Sequence, residues 1–515
     1  MNQDSTVTIN RAQHDKKNSA EWEIAETWSK FLYPFLFTHR LKPHIHSCGQ
    51  DFAEALVADP KHPDVWVETA FQPRELENML PYVKEYLQLP TNHQRFEMSS
   101  ASVDPNALFV FSSHSGRPLA FHITDIVLHV FFNGVACLAI DVRPVAEPPS
   151  SLTIEDVEWV NAQLASLVRD TPFQLVDQDN WARHPNHFSI ANICRERQQL
   201  TMRELIDDLL ASFYSPDSLL MLTPMADRFL PIYGALLLRP SDRANTETLD
   251  EQFFEFAQHH LTILRKTFTP NNISTFSQIH LEDSSHHYMP YHNVIHSQSL
   301  DGGFILAYDN GLHHFSGSPA RAMESFRTSY FYMMLIPFHQ RLSILRYAMA
   351  AAHAGLSRER GAELRKLREE IYDFTSRCYF SQASVSEERN HIYQRWQHEF
   401  HVVRMYNDLK EEVHDIDNYL ADLERERENE LRDKAVRRDS RNMQLFGLVT
   451  LIFLPVTLLL YAIPDIPILN RWINFSQFPM RSLAVVLGMV AFVITLLLAI
   501  FRYLRRGRRT LDRFK

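Results

Sequence analysis

Residues 443–463 read MQLFGLVTLIFLPVTLLLYAI, 21 residues without a charge. A helix of that length matches the hydrocarbon core of a bilayer, which takes about 20 apolar residues. A second uncharged run, SLAVVLGMVAFVITLLLAIF at 482–501, follows after a short link. No other part of the chain stays apolar for so long. The expected fold class is therefore an α+β membrane protein. A cytoplasmic α/β domain would lead into long stalk helices, continuous with the first of two C-terminal transmembrane helices, at about 443–463 and 481–503.

The flanks of the two runs set an orientation. Arg437, Arg438 and Arg441 precede the first, and Arg502, Arg505, Arg506, Arg508 and Arg509 follow the second. The link holds only Arg471 and Arg481 against Asp465. The positive-inside rule then places both termini of a multi-pass protein in the cytoplasm and the link outside.

The chain has 515 residues, a length that implies two or three units. From Arg437 onward there are 12 Lys/Arg against three Asp/Glu, a balance of +9. With a whole-chain charge of −10, the preceding residues carry −19. An acidic body argues against a nucleic-acid surface and suits attraction of cations. Cys48, Cys137, Cys194 and Cys378 are scattered without a CxxC pair, which fits a reducing compartment. The polar first 23 residues lack the apolar core of a secretory signal.

The expected domains are a disordered stretch at 1–20, a cytoplasmic α/β domain at 21–317 with a break near 150, and a long-helix stalk at 318–442. A transmembrane hairpin at 443–503 and a basic cytoplasmic tail at 504–515 complete the chain. In the body, two Asn-Gly pairs, Asn133-Gly134 and Asn310-Gly311, sit between β-rich runs and predict type I′ hairpins. Thr153 with Asp156 predicts an N-cap pair opening a helix over 154–167. Helices are predicted over 201–213 and 247–267, and a strand over 228–238. Together these describe an α/β body with a largely antiparallel sheet.

From Ser318 the pattern becomes helical, with a kink or break expected at Pro337 and a charged helix over 358–380. No Pro or Gly interrupts 386–442. The prediction there is one helix over 386–463, roughly 117 Å long at 1.5 Å per residue. Leu409, Val413, Ile416, Leu420 and Leu423 form a narrow 4-3-4-3 seam whose cheapest neighbours are copies of the same helix.

Two clusters carry metal-ligand residue types. His44, His46 and Cys48 alternate as on one strand face. His280, Glu282, Asp283, His286, His287, His292 and His296 crowd one stretch, whose Ser, Pro and Asn filler equally suits an ordinary surface loop. No phosphate loop, dinucleotide fingerprint, nucleophile elbow or zinc-protease motif is present, so no catalytic residue is assigned and an enzyme is not expected.

The first apolar run resembles the CorA-type divalent-cation transporters. Met443, Ile452, Phe453, Pro455 and Thr457 match that family's first span, and Leu469-Asn470-Arg471-Trp472 is similar to its external loop. The resemblance covers residues 318–515, and His129 to Val142 is similar to a hairpin of its cytoplasmic domain. It implies a homopentamer in the lipid bilayer of the inner (plasma) membrane, passively conducting Mg²⁺, Zn²⁺, Co²⁺ or Ni²⁺, with the divalent cation as substrate and regulator and no covalently bound cofactor. The implied pore face is Met443, Phe446, Thr450, Leu454 and Thr457. The implied sensor is Asp408, Glu411, Glu412, Asp415 and Asp417 on the seam helix. The family's Gly-Met-Asn signature is absent, and Pro464, Asp465 and Ile466 stand in its place. Five copies of Asp465 would make an acidic outer mouth. The alternative is a ligand-sensing membrane effector or scaffold, since some members without Gly-Met-Asn are associated with signalling by small nucleotides. Arg117, Arg183 and Arg195 are the body's basic candidates for such a ligand, and no nucleotide pocket is recognisable in the sequence.

Overall fold

The strand β1 (Trp22–His39) is 18 residues long, and everything from Thr27 to Phe37 on it is buried. Burial of successive residues means that both faces are covered, as in a central strand. The structure, a computed structural model, describes residues 22–39, 52, 56, 65–98, 107–111, 119–146, 151–168, 171–176, 199–214, 220–241, 248–266, 286–309, 325–356, 360–462, 488, 491, 492 and 495. The chain divides into two units, Met1–Asn418 and Tyr419–Lys515.

In the first unit, one edge of β1 pairs antiparallel with β6 (Val135–Ala146). The other edge pairs with β9 (Ile232–Pro240) along its first half and with β8 (Leu220–Pro224) at its end. Beyond β6 lie β5 (Leu119–Phe131), β3 (His93–Met98) and β2 (Trp66–Glu68). Beyond β9 lie β12 (Gly302–Tyr308), β11 (Val294–Ser299) and β10 (His287–Tyr291). β4 (Leu108–Phe111) pairs with β5 and with β7 (Phe173–Val176). Only the β12–β9 pairing is parallel among these strands.

The hairpin at Asn133-Gly134 forms, but not as a type I′ turn. Only Gly134 has positive φ, at +78°, and its N–H reaches Phe131 O at 3.3 Å. This is the three-residue arrangement with a left-handed closing residue. A Cβ on Gly134 would meet Phe37 O at 2.8 Å, so glycine is required twice over. Asn133 instead turns its amide inward, donating to Ser343 Oγ at 2.7 Å. The second Asn-Gly pair lies outside the described residues. β12 finds its antiparallel partner in the preceding β11.

Helices α1 (Pro81–Gln88), α2 (Ile154–Ala165), α3 (Met202–Leu209), α4 (Ala211–Tyr214) and α5 (Leu249–Lys266) follow the sheet. Thr153 and Asp156 exchange the expected capping bonds, at 2.9 and 3.3 Å. α2 and α5 cover one sheet face, on which Phe31, Phe35, Leu236 and Phe304 lie. The opposite face, bearing Lys30 and Tyr233, meets a π-helical turn, Phe326–Tyr330, and α6 (Phe331–Leu356), which contains Pro337.

α7 (Arg360–Cys378) and α8 (Glu387–Glu399) follow, then α9 (Val402–Ala462). The single helix expected over 386–463 is therefore two. It breaks at His401, whose φ is +55°, a region that histidine enters more readily than most residues. Leu409, Val413 and Ile416 of the seam are buried. Their neighbour is α7 of the same chain: Arg368 pairs with Asp417 at 3.0 Å, Tyr372 donates to Asp417 at 3.2 Å, and Tyr379, just past the helix, stacks on Tyr406 at 3.7 Å. This burial needs no second copy.

In the second unit, α9 carries exposed charged residues up to Met443 and then exposed apolar ones. Among the described residues, no helix is long and apolar enough to cross a membrane. That overturns the transmembrane hairpin expected at 443–463 and 481–503, and with it the multi-pass inner-membrane placement with both termini cytoplasmic. The first run ends α9 at Ala462. What remains of the fold expectation is an α+β chain with one large sheet and long helices.

Candidate functional site

The sheet face beneath the π-helical turn holds an unusual row of charges. Strand alternation puts Trp28 and Lys30 of β1, Ala139 and Asp141 of β6, and Asp125, Val127 and His129 of β5 on one side. Register aligns Lys30 with Asp141 and Asp141 with Asp125 across three strands. Two residues further along each strand, Ala139 faces Val127, and beyond them His129 faces Arg95 of β3. These residues floor a cavity of about 390 Å³. Arg327, Thr328, Phe331 and Tyr332 from the π-helical turn and α6 form its roof, and Gln72 and Glu75 close one side. π-helical turns recur at functional sites because they re-aim side chains on an otherwise regular helix.

Most of the charges are paired. Lys30 Nζ donates to both Asp141 oxygens, at 2.7 and 2.5 Å, and lies 4.8 Å from the Phe331 ring. Both partners are buried, so each depends on the other to offset lost hydration. Arg95 donates to Glu75 at 2.7 Å and also to Glu97. Burial opposes the Arg95 charge, but Tyr332, Glu75 and Glu97 outweigh it and raise its pKa.

Two charges are left open. Asp125 and Arg327 face the cavity with no hydrogen bond to any described residue, and Arg327 is held by its stack over Trp28 at 4.6 Å. Burial, then the neighbouring Asp141 charge, pushes the Asp125 carboxyl up to about 6, against the opposing pull of the Lys30 and Arg327 charges. At the far end, His93 bonds Leu87 O through Nδ1 and His129 through Nε2, both at 3.1 Å. Burial lowers His93 to about 4 and His129 well below its usual value, so both rings are neutral.

None of these residues was singled out by motif. The available signal was a charge inside an otherwise apolar strand run: Lys30 in WSKFLY, Asp125 in FHITDIVLHV and Asp141 in CLAIDV.

The residues singled out from the sequence lie elsewhere. Met443, Phe446 and Leu454 are exposed on α9. Thr450 and Thr457 donate their hydroxyls back to Phe446 O and Phe453 O, the first at 2.8 Å. Asp465 is outside the described residues. Asp408, Glu411 and Asp415 are exposed on α9, Asp417 is engaged by Arg368 and by Tyr372 at 3.2 Å, and burial raises the pKa of Glu412.

The histidine stretch is dispersed rather than gathered. His286 pairs with Glu399 at 3.0 Å, His287 lies on β10, and His292 is exposed at the β10–β11 turn. His296 is buried edge-on to Tyr330, and burial pushes it down to about 3. His280, Glu282, Asp283, His44, His46, Cys48, Arg117, Arg183 and Arg195 lie outside the described residues. Among the described residues, no three metal-donor side chains gather at one point. No family model matches this chain, and no curated protein or solved structure matches it either.

Proposed function

We propose that the first unit is a binding module for a small polar molecule that carries both a cationic or donor group and an anionic group. The carrying observation is the pair of open charges, Asp125 and Arg327, facing one cavity whose other charges are closed by partners. An ionised group drawn from bulk water without a hydrogen-bond partner is costly, and a ligand carrying both polarities supplies the missing bonds to both at once. The cavity volume of about 390 Å³ is in the range used for small-molecule sites. Val127 and Ala139 below and Phe331 and Tyr332 above supply the apolar walls.

The cation-channel reading implied by the family resemblance needs a path across a membrane, and no described helix supplies one. The homopentamer and the divalent cation rest on that resemblance alone. Ligand sensing, the alternative reading of the sequence, is the one with a cavity to support it.

The test is calorimetric titration of the full chain with a panel of amino-acid zwitterions, their amides and their N-acetyl derivatives. Zwitterions are expected to bind. The amides, which lack the carboxylate, and the acetylated forms, which lack the ammonium, are each expected to bind at least about tenfold more weakly. Absence of binding by every zwitterion, or equal binding by all three classes, would overturn the reading.

A further inference from the structure

The polar chain Leu87–His93–His129 fixes more than the position of two rings. A carbonyl oxygen can only accept, so the bond at 3.1 Å to Leu87 O requires a proton on His93 Nδ1. A neutral His93 then has a bare Nε2, which accepts. The 3.1 Å bond between His93 Nε2 and His129 Nδ1 therefore requires the proton on His129 Nδ1. One ring nitrogen of His129 remains, Nε2. It has no hydrogen bond to any described residue, and the His129 side chain lines the cavity.

We infer that His129 presents a bare Nε2 to the cavity, and that the bound molecule must offer it an N–H or O–H donor. This rests on the cavity being a ligand site and adds a selection rule at the end away from Asp125. The neighbouring groups reinforce the state. Burial, the His93 ring and the positive charges of Arg95 and Lys30 all oppose a second proton on His129. Arg95 is directly across the strand pair from His129, with its guanidinium held by Glu75 and Glu97. An acceptor-only ligand group would meet a lone pair at Nε2 and be rejected. A donor would be accepted at no proton-transfer penalty.

The experiment is nitrogen NMR of the full chain labelled only at its 26 histidines, with the His129 signals assigned by their loss in His129→Gln. The expected spectrum has a protonated Nδ1 and a bare Nε2 for His129, unchanged between pH 7 and pH 5. His93→Leu removes the acceptor for Nδ1–H and is expected to convert His129 to a mixture of tautomers. Saturating acetamide is expected to move the Nε2 resonance in the direction of hydrogen bonding. N,N-dimethylacetamide, which has the same carbonyl but no N–H, is expected to leave it in place.

A protonated Nε2 at pH 7 overturns the inference and leaves the zwitterion titration standing. The expected tautomer with an Nε2 resonance moved by neither amide, or equally by both, also overturns it. Failure of all zwitterions to bind in calorimetry overturns the site reading itself, which is a separate observable.

Discussion

The sheet face around Lys30 and the helix beyond Met443 invert the usual distribution of residues in opposite directions. The first buries charges: Lys30 and Asp141 are 6 % and 1 % exposed. The second exposes apolar groups: Met443 and Phe446 are each 75 % exposed. In the first region the inversion is balanced locally, because register places Lys30 opposite Asp141. In the second, no described side chain balances it. Residue type alone therefore says little about burial here; what decides it is whether a partner is supplied by the strand or helix next door.

The largest expected effect breaks that local balance. Lys30→Met leaves Asp141 buried and alone, and removal of one partner from a buried pair costs about 3–5 kcal/mol. Denaturant unfolding of the variant should show the full loss. The double variant Lys30→Met with Asp141→Leu should recover most of it, because an apolar pair of similar volume replaces the ions. A single variant with near-wild-type stability would mean that water reaches Asp141 and that the row is not closed.

Asp125 sharpens the same point through pH. Its folded-state pKa, about 6, lies above the unfolded value of 3.8. The folded protein thus holds the proton more tightly, and stability is lost as pH rises from about 4 through about 6. Asp125→Asn cannot ionise. It should match the wild type in stability near pH 4 and exceed it by about 1–3 kcal/mol above pH 7. Thermal unfolding at the two pH values checks this, and a gain already present at pH 4 would assign the effect to packing instead.

Much of the fold could be read from the sequence, and the site could not. Thr153 and Asp156 announce their helix because capping is a local contact over three residues. Gly134 announces its turn because the backbone requires it. The site joins Lys30, Arg95, Asp125, Asp141 and Arg327, which meet only through strand register and a helical turn almost 200 residues away. No spacing rule links them. The break at His401 was hidden for a related reason: it uses neither Pro nor Gly. Phe400 packs on Phe338 at 5.4 Å and its carbonyl accepts from Arg341 at 2.8 Å, so the break is held by tertiary contacts. In contrast, the apolar run from Met443 is the loudest local signal in the chain, and its described part does not make a membrane-spanning helix.

Arg327 tests whether the open charges serve a ligand or only the fold. It stacks on Trp28 and makes no hydrogen bond to a described residue. Arg327→Gln should therefore change stability by less than about 1 kcal/mol. Zwitterion binding should weaken at least about tenfold, or about 1.4 kcal/mol. The separation of the two readouts matters, because a stability loss as large as the binding loss would make Arg327 a structural residue.

The smallest effect is expected in the contrasting region. Phe446 is exposed on α9, with no ring contact to a described residue. If it meets only water, Phe446→Ser removes no packing. The change then falls within about 0.5 kcal/mol, as for surface substitutions generally. Serine has a lower helix propensity than leucine-like residues but differs little from phenylalanine, so the helix itself offers no confounding term. Lys30→Met measured beside it sets the scale for a residue whose partner is present. A loss above about 2 kcal/mol for Phe446→Ser would show that this face is covered in the working protein, and would place the missing partner of the apolar run at that position.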